Sequence, residues 1–141
     1  MTRRSTLVHV LTASFLLALA AVPLAAELPR YLPEAREQHG KNHLLVILAI
    51  DRNEPRVFDL NLEISVRWEA IEHRGIIPVD VLPTRHNVDA VARLLGVQGE
   101  PFAVVLLNRE SEIVYRSTTT DVLDHVFRLV DLELNESETA R

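Results

Sequence analysis

The 141-residue chain contains no cysteine. Thiol–disulfide exchange, thiolate nucleophiles and thiolate metal ligands are therefore excluded, together with any disulfide framework. A lipid anchor attached through a lipobox cysteine is excluded for the same reason. Stability has to come from packing. Lysine is nearly absent, Lys41 being the only one, and there are no internal repeats. With 15 basic residues against 20 acidic ones the net charge is −5, a balance that repels nucleic acid and anionic lipid alike.

What is present begins with an export-type amino terminus. Arg3 and Arg4 form a short cationic start, and Leu7 to Val22 is apolar except for His9, Thr12 and Ser14. Pro23, Leu24, Ala25 and Ala26 then bring small residues next to Glu27, so residues 1–26 read as a signal peptide cleaved after Ala26. An uncleaved anchor needs roughly 20 apolar residues, more than this run has before Pro23. Thr2-Arg3-Arg4-Ser5 resembles a twin-arginine signal, but Thr6 stands where a bulky apolar residue is expected; the general secretory route fits better. The expected location is periplasmic or secreted, with the membrane touched only through the signal. Removing residues 1–26 leaves 115, enough for one domain with a buried core. It also removes Arg3 and Arg4, leaving 13 basic residues against 20 acidic ones, a net −7.

Residues 27–42 are polar and contain Pro29, Pro33 and Gly40, so they read as an approach segment with one helical turn around Glu34–Gln38. Leu44 to Ile50 is seven apolar residues in a row, which suits a strand buried on both faces. Asn53 and Pro55 supply a helix start, and Val57, Leu60, Ile64, Trp68 and Ile71 form one helical stripe ending near Arg74 and Gly75. That places Trp68 in the core. Ile76 to Leu82 is a second strand, and Pro78 argues for an edge position or a strand start. Asn87 caps a short helix closed by Gly96. Pro101 opens a third strand over Phe102–Leu107; Asn108–Glu112 turns into a fourth, Ile113–Arg116. Thr118–Thr120 offer caps for a last helix whose first turn holds Asp121 and Asp124 and whose inner face is Val122, Leu123, Val126, Phe127 and Val130. The domain so defined spans residues 43–133, and residues 134–141 read as a flexible tail.

The order β-α-β-α-β-β-α implies an α/β fold. Its first half is a parallel βαβ unit and its second a hairpin with a covering helix. This is the thioredoxin-like arrangement, a four-stranded mixed sheet with helices on both faces. Leu95-Gly96-Val97, Phe102-Ala103-Val104-Val105-Leu106-Leu107, Ile113-Val114-Tyr115-Arg116-Ser117 and Phe127-Arg128-Leu129-Val130-Asp131 carry a further likeness. Over about residues 40–132 the chain resembles the exported bacterial family called domain of unknown function 4174 (DUF4174), related to domains of vertebrate secreted sushi-repeat matrix proteins. It departs from the family at Asn108-Arg109-Glu110-Ser111 and at Asp131-Leu132-Glu133-Leu134. The resemblance implies fold and compartment and no defined activity.

In that fold the ends of strands one and two and the start of strand three share one sheet edge, where ligands of open α/β sheets bind. Asp51, Arg52, Arg85, His86, Glu100 and Pro101 fall there, with Arg56 nearby. Free N–H groups of two helix starts and the arginines favour a carboxylate or phosphate ligand. The bland alternative is a solvated, hydrophilic rim. Pro101 occupies the position of a site-facing cis-proline, or else simply starts a strand. The stretch where a redox cysteine pair would stand reads Asp51-Arg52-Asn53-Glu54. His39 and His43 have chelating i, i+4 spacing, but Gly40 and Asn42 oppose a helix and no third ligand is evident, so no metal and no cofactor is expected. His73 complements a helix carboxyl end, and His125 faces outward. Three function classes remain, one of them a purely structural or self-associating protein. Another is an exported, non-redox binding or accessory module whose partner is a periplasmic protein or small anionic ligand. The third is a cysteine-independent enzyme using Asp51, Arg85 and His86, or a hydrolase-type set of Thr84, His86 and Asp51.

Overall fold

The structure, a computed structural model, describes residues 22–140; Arg3, Arg4 and the apolar run up to Ala21 lie outside the described residues. Strand β1 (His43–Ala49) is buried at all seven positions. A strand covered on both faces favours apolar side chains at every position, which is why the run from Leu44 to Ala49 is continuous instead of alternating; buried His43 at its start pairs with Glu133. Leu45, Ile47 and Ala49 face one helical layer; Leu44, Val46 and Leu48 face the other. β3 (Phe102–Leu107) divides in the same way, Phe102, Val104 and Leu106 against Ala103, Val105 and Leu107. β2 (Ile76–Val81) runs parallel to β1, with His43 opposite Ile76. β3 runs antiparallel on the other side, with Leu44 opposite Leu107. β4 (Ile113–Ser117) closes the hairpin beyond β3, with a bulge near Leu107. The strand order is β2-β1-β3-β4, so Pro78 lies on an edge strand, where sheets tolerate proline.

The first layer comprises α3 (Pro55–Val66), α4 (Trp68–His73) and α6 (Leu123–Thr139). The second comprises α1 (Leu24–Glu27), a 3-10 turn (Leu28–Arg30), α2 (Pro33–Gln38) and α5 (Val88–Leu95). Leu28, Leu32 and Ala35 are buried there against Val91, Leu95 and β1. Residues 27–42 are thus a wall of the domain and not merely an approach to it. Among the described residues no helix is long and apolar enough to cross a membrane.

Four expectations are corrected. The single helix expected from Pro55 to Arg74 breaks at Arg67, whose φ of −109° and ψ of 28° leave the helical region. There Arg67 Nη1 donates to Asp124 at 2.8 Å, with its guanidinium 4.6 Å from the Phe127 ring. Arg74 repeats the arrangement, donating to Asp131 at 3.0 Å with its guanidinium 4.4 Å from the same ring. The break turns Trp68 outward, 46% exposed, while Ile71 stays buried. Second, Glu54 and not Asn53 caps α3, its carboxylate accepting from Arg56 N–H at 3.5 Å. Third, no side chain caps α6. Thr119 Oγ1 instead donates to Asp121 at 2.6 Å, which holds that carboxyl below its usual range. Fourth, the tail expected from residue 134 is helical to Thr139, with Leu134 packed on the core.

Candidate functional site

The carboxyl edge of the sheet is assembled much as the strand order requires. Ile50 N–H donates to the Pro101 carbonyl at 3.2 Å, so the exit of β1 and the entrance of β3 are tied together. Asp51 Oδ1 accepts from Asn53 N–H at 2.9 Å and the Asp51 carbonyl from Glu54 N–H at 3.1 Å, a tight side-chain-supported turn. Pro55 then starts α3 at a position where its missing N–H costs nothing. Arg56 Nε donates to Glu54 Oε1 at 2.6 Å, and its guanidinium sits 5.0 Å from the Phe102 ring. The Arg56 guanidinium, hydrogen-bonded to Glu54, holds that carboxyl below the usual carboxylate range. Glu54 in turn raises Arg56, with Glu100 adding to the effect. Asp51, Arg52, Glu100 and Pro101 are all exposed. No peptide bond among the described residues is cis, so Pro101 is trans and simply precedes β3.

Arg85 and His86 belong elsewhere. The β2–α5 loop leads to the second helical layer, whereas the β1–α3 loop leads to the first. Adjacent strands therefore send their loops to opposite faces of the sheet. Arg85 and His86 N–H groups both donate to the Leu82 carbonyl, and this turn points the loop at α2. Asn87 Oδ1 accepts from Ala90 N–H at 3.2 Å and caps α5. His86, with only 8% of its side chain exposed, has Nε2 3.6 Å from Glu34 Oε1. That is an ion-pair distance and too long for a hydrogen bond. His86 Nδ1 and Glu34 Oε2 are buried with no partner among the described residues. Arg30, Tyr31, Pro33, Glu34, Arg85, His86 and Asn87 line an open groove of about 440 Å3.

The expected edge is thus two separate places. Asp51, Arg52, Glu100 and Pro101 form one corner; Arg85 and His86 join the amino-terminal wall. Among the described residues no hydrogen bond links Asp51 to Arg85 or His86, and Thr84 is exposed. Neither the Asp51–Arg85–His86 set nor the Thr84–His86–Asp51 set is assembled, because a helical layer stands on each side of the sheet. The sequence reading missed Arg30, Tyr31 and Glu34. The signal was there in the apolar residues Leu28, Leu32 and Ala35 set three or four apart in a polar segment, although the structure divides them between a 3-10 turn, the residue before α2 and α2 itself.

The remaining histidines have other partners. His39 Nδ1 is 2.9 Å from Ser111 Oγ, and buried His43 Nε2 is 2.5 Å from Glu133 Oε2. The two therefore turn to different neighbours instead of converging on one ion. Among the described residues no group of three or more potential ligands could hold a metal. His73 lies in the last turn of α4, and exposed His125 stacks on Tyr115 with ring centroids 4.8 Å apart.

No protein-family model matches the sequence, and no curated protein matches it. Solved structures do. A reduced 2-Cys peroxiredoxin from Plasmodium vivax superposes with a TM-score of 0.57 at 10% identity, covering 73% of this chain and 83% of that one. Plasmodium yoelii Prx1a gives 0.53 at 13% identity, over 72% and 79%. At such identities the likeness concerns the fold, which is thioredoxin-like α/β. The two cysteines in the first protein's name have no counterpart in a chain without cysteine.

Proposed function

We propose that this chain is an exported, non-redox, thioredoxin-like module that binds a ligand or partner without transforming it. The observation that carries this is the corner between β1 and α3. Its four residues Asp51-Arg52-Asn53-Glu54 offer no thiol, and their acidic side chains are engaged in closing the turn and capping the helix. A carboxylate committed to an N-cap and an arginine is a structural group, not a base awaiting a substrate. The enzyme alternative loses its support because, among the described residues, Asp51 bonds within its own turn and His86 faces Glu34, with no hydrogen bond joining the two. Membership of the exported bacterial DUF4174 family belongs to the same proposal.

Export is supported by the signal pattern of residues 1–26 and by where the core starts. Among the described residues the first buried side chain is Leu28, and α1 contains none. Cleavage after Ala26 would leave every fully buried residue among those described in place, and would remove from the second layer only the partly buried Leu24 and its neighbours in α1. Expression of the full chain in a bacterial host, followed by fractionation and intact-mass measurement, tests this. Periplasmic protein lacking residues 1–26 is the expected product. Full-length protein retained in the cytoplasm contradicts export.

A further inference from the structure

We propose that the groove between the amino-terminal wall and the β2–α5 loop is a binding site for a free amino acid, recognised by its carboxylate and its ammonium group. This deepens the binding-module reading and rests on it. The groove combines two opposite chemical demands. Arg30 and Arg85 are exposed at its rim, and neither makes a salt bridge among the described residues. Asn87 spends only its Oδ1 on the α5 cap, which leaves its side-chain N–H group to donate. These donors suit a carboxylate, and a guanidinium can grip one with two parallel hydrogen bonds.

The opposite demand comes from Glu34. Its Oε2 is buried without a partner, and its Oε1 reaches His86 only at 3.6 Å. A carboxylate oxygen removed from water and given no donor is costly, and a donor supplied by a ligand relieves the cost. The Glu34 side chain is 34% exposed and lines the groove, so its carboxylate presents negative charge to whatever enters. His86, whose side chain is more than nine-tenths buried, lines the same groove and carries a second unpartnered atom, Nδ1. A simple anion would answer the arginines and repel Glu34. A simple amine would do the reverse. A molecule carrying both groups satisfies each, and a free amino acid is the smallest common class that does. Tyr31, half-buried at the groove wall, offers an apolar surface to its side chain.

The test uses protein purified after expression of the full chain. Each standard L-amino acid is screened by thermal shift, and the best is taken to calorimetry beside its N-acetyl derivative, which lacks the ammonium, and its amide, which lacks the carboxylate. Each derivative is expected to bind at least about tenfold more weakly, the lower end of what a charge-assisted hydrogen bond contributes. Glu34→Gln should weaken the amino acid about tenfold and leave the N-acetyl derivative unaffected. Arg85→Ala should do the same to the carboxylate side and leave the amide unaffected. Arg128→Ala, on the exposed side of α6, should change nothing. Absence of binding by every amino acid overturns the proposal, as do derivatives that bind as tightly as the parent. The derivative comparison uses the unaltered protein, so it decides the matter even where a variant fails to fold. Failure here removes the site and leaves the non-redox reading standing, since that reading depends on the Asp51–Glu54 corner.

Discussion

Leu32→Ala is the perturbation that weighs most on this account. Leu32 stands between the 3-10 turn and α2, fully buried with Leu28 and Ala35 against α5 and the second face of the sheet. The substitution removes three carbon atoms, about 2.4 kcal/mol of transfer free energy at about 0.8 kcal/mol per methylene. The cavity left behind adds to that, so the loss should be about 3–4 kcal/mol, within the range found for buried leucines. Against a total stability of about 5–15 kcal/mol this is a large fraction. Urea denaturation followed by far-ultraviolet circular dichroism is the assay. The midpoint should fall by roughly 1–4 M for slopes of about 1–3 kcal/mol/M, with the slope itself unchanged. A loss below about 1 kcal/mol would refute the reasoning. It would mean that residues 27–42 are a loose approach segment and that the groove lacks its wall.

Trp68→Ala should cost about 1–2 kcal/mol, well short of the roughly 3–5 kcal/mol lost when a fully buried tryptophan is truncated, because nearly half the residue is already exposed; a loss in the larger range would restore the unbroken helix. Gly96 has a φ of +72°, and an added Cβ there would lie 2.9 Å from Arg116 Nη2. Gly96→Ala should therefore destabilise by about 1 kcal/mol or more, measured by the same denaturation, and a neutral result would contradict the left-handed cap. Because the Glu54 carboxyl is held low by Arg56, the stability from this pair is complete above the ordinary carboxylate pKa of about 4.3 and is lost as pH falls through the lower folded value. Thermal melts across the acid range should show less acid sensitivity in Glu54→Gln than in the parent; equal sensitivity would show that the pair contributes nothing.

Much of the fold was legible because its signals are local. Six of the seven buried residues of β1 come from one unbroken apolar run, the seventh being His43, and the edge position of β2 follows from Pro78. Asn87 and Gly96 bound α5 as their chemistry dictates. Trp68 failed because the helix break at Arg67 is associated with partners 57 residues away, and a periodicity carries no trace of them. The candidate edge was half legible for a related reason. Strand order places Asp51 and His86 at the same end of the sheet, but each loop follows its own helix to a different face. Glu34 was missed because its role comes from a long-range approach between α2 and the β2–α5 loop, and residues 27–42 look polar when read along the chain. The apolar residues there are few, yet Leu28, Leu32 and Ala35 are all buried in the second core.

Backbone amide shifts recorded by nuclear magnetic resonance during titration with the best-binding amino acid test the division of the sheet edge most directly. The account predicts perturbations grouped at residues 30–36 and 84–90, with residues 51–54 and 100–101 unmoved. Perturbations centred on Asp51–Glu54 and Pro101 would contradict it, since they would put the working surface at the corner where a thiol pair would stand.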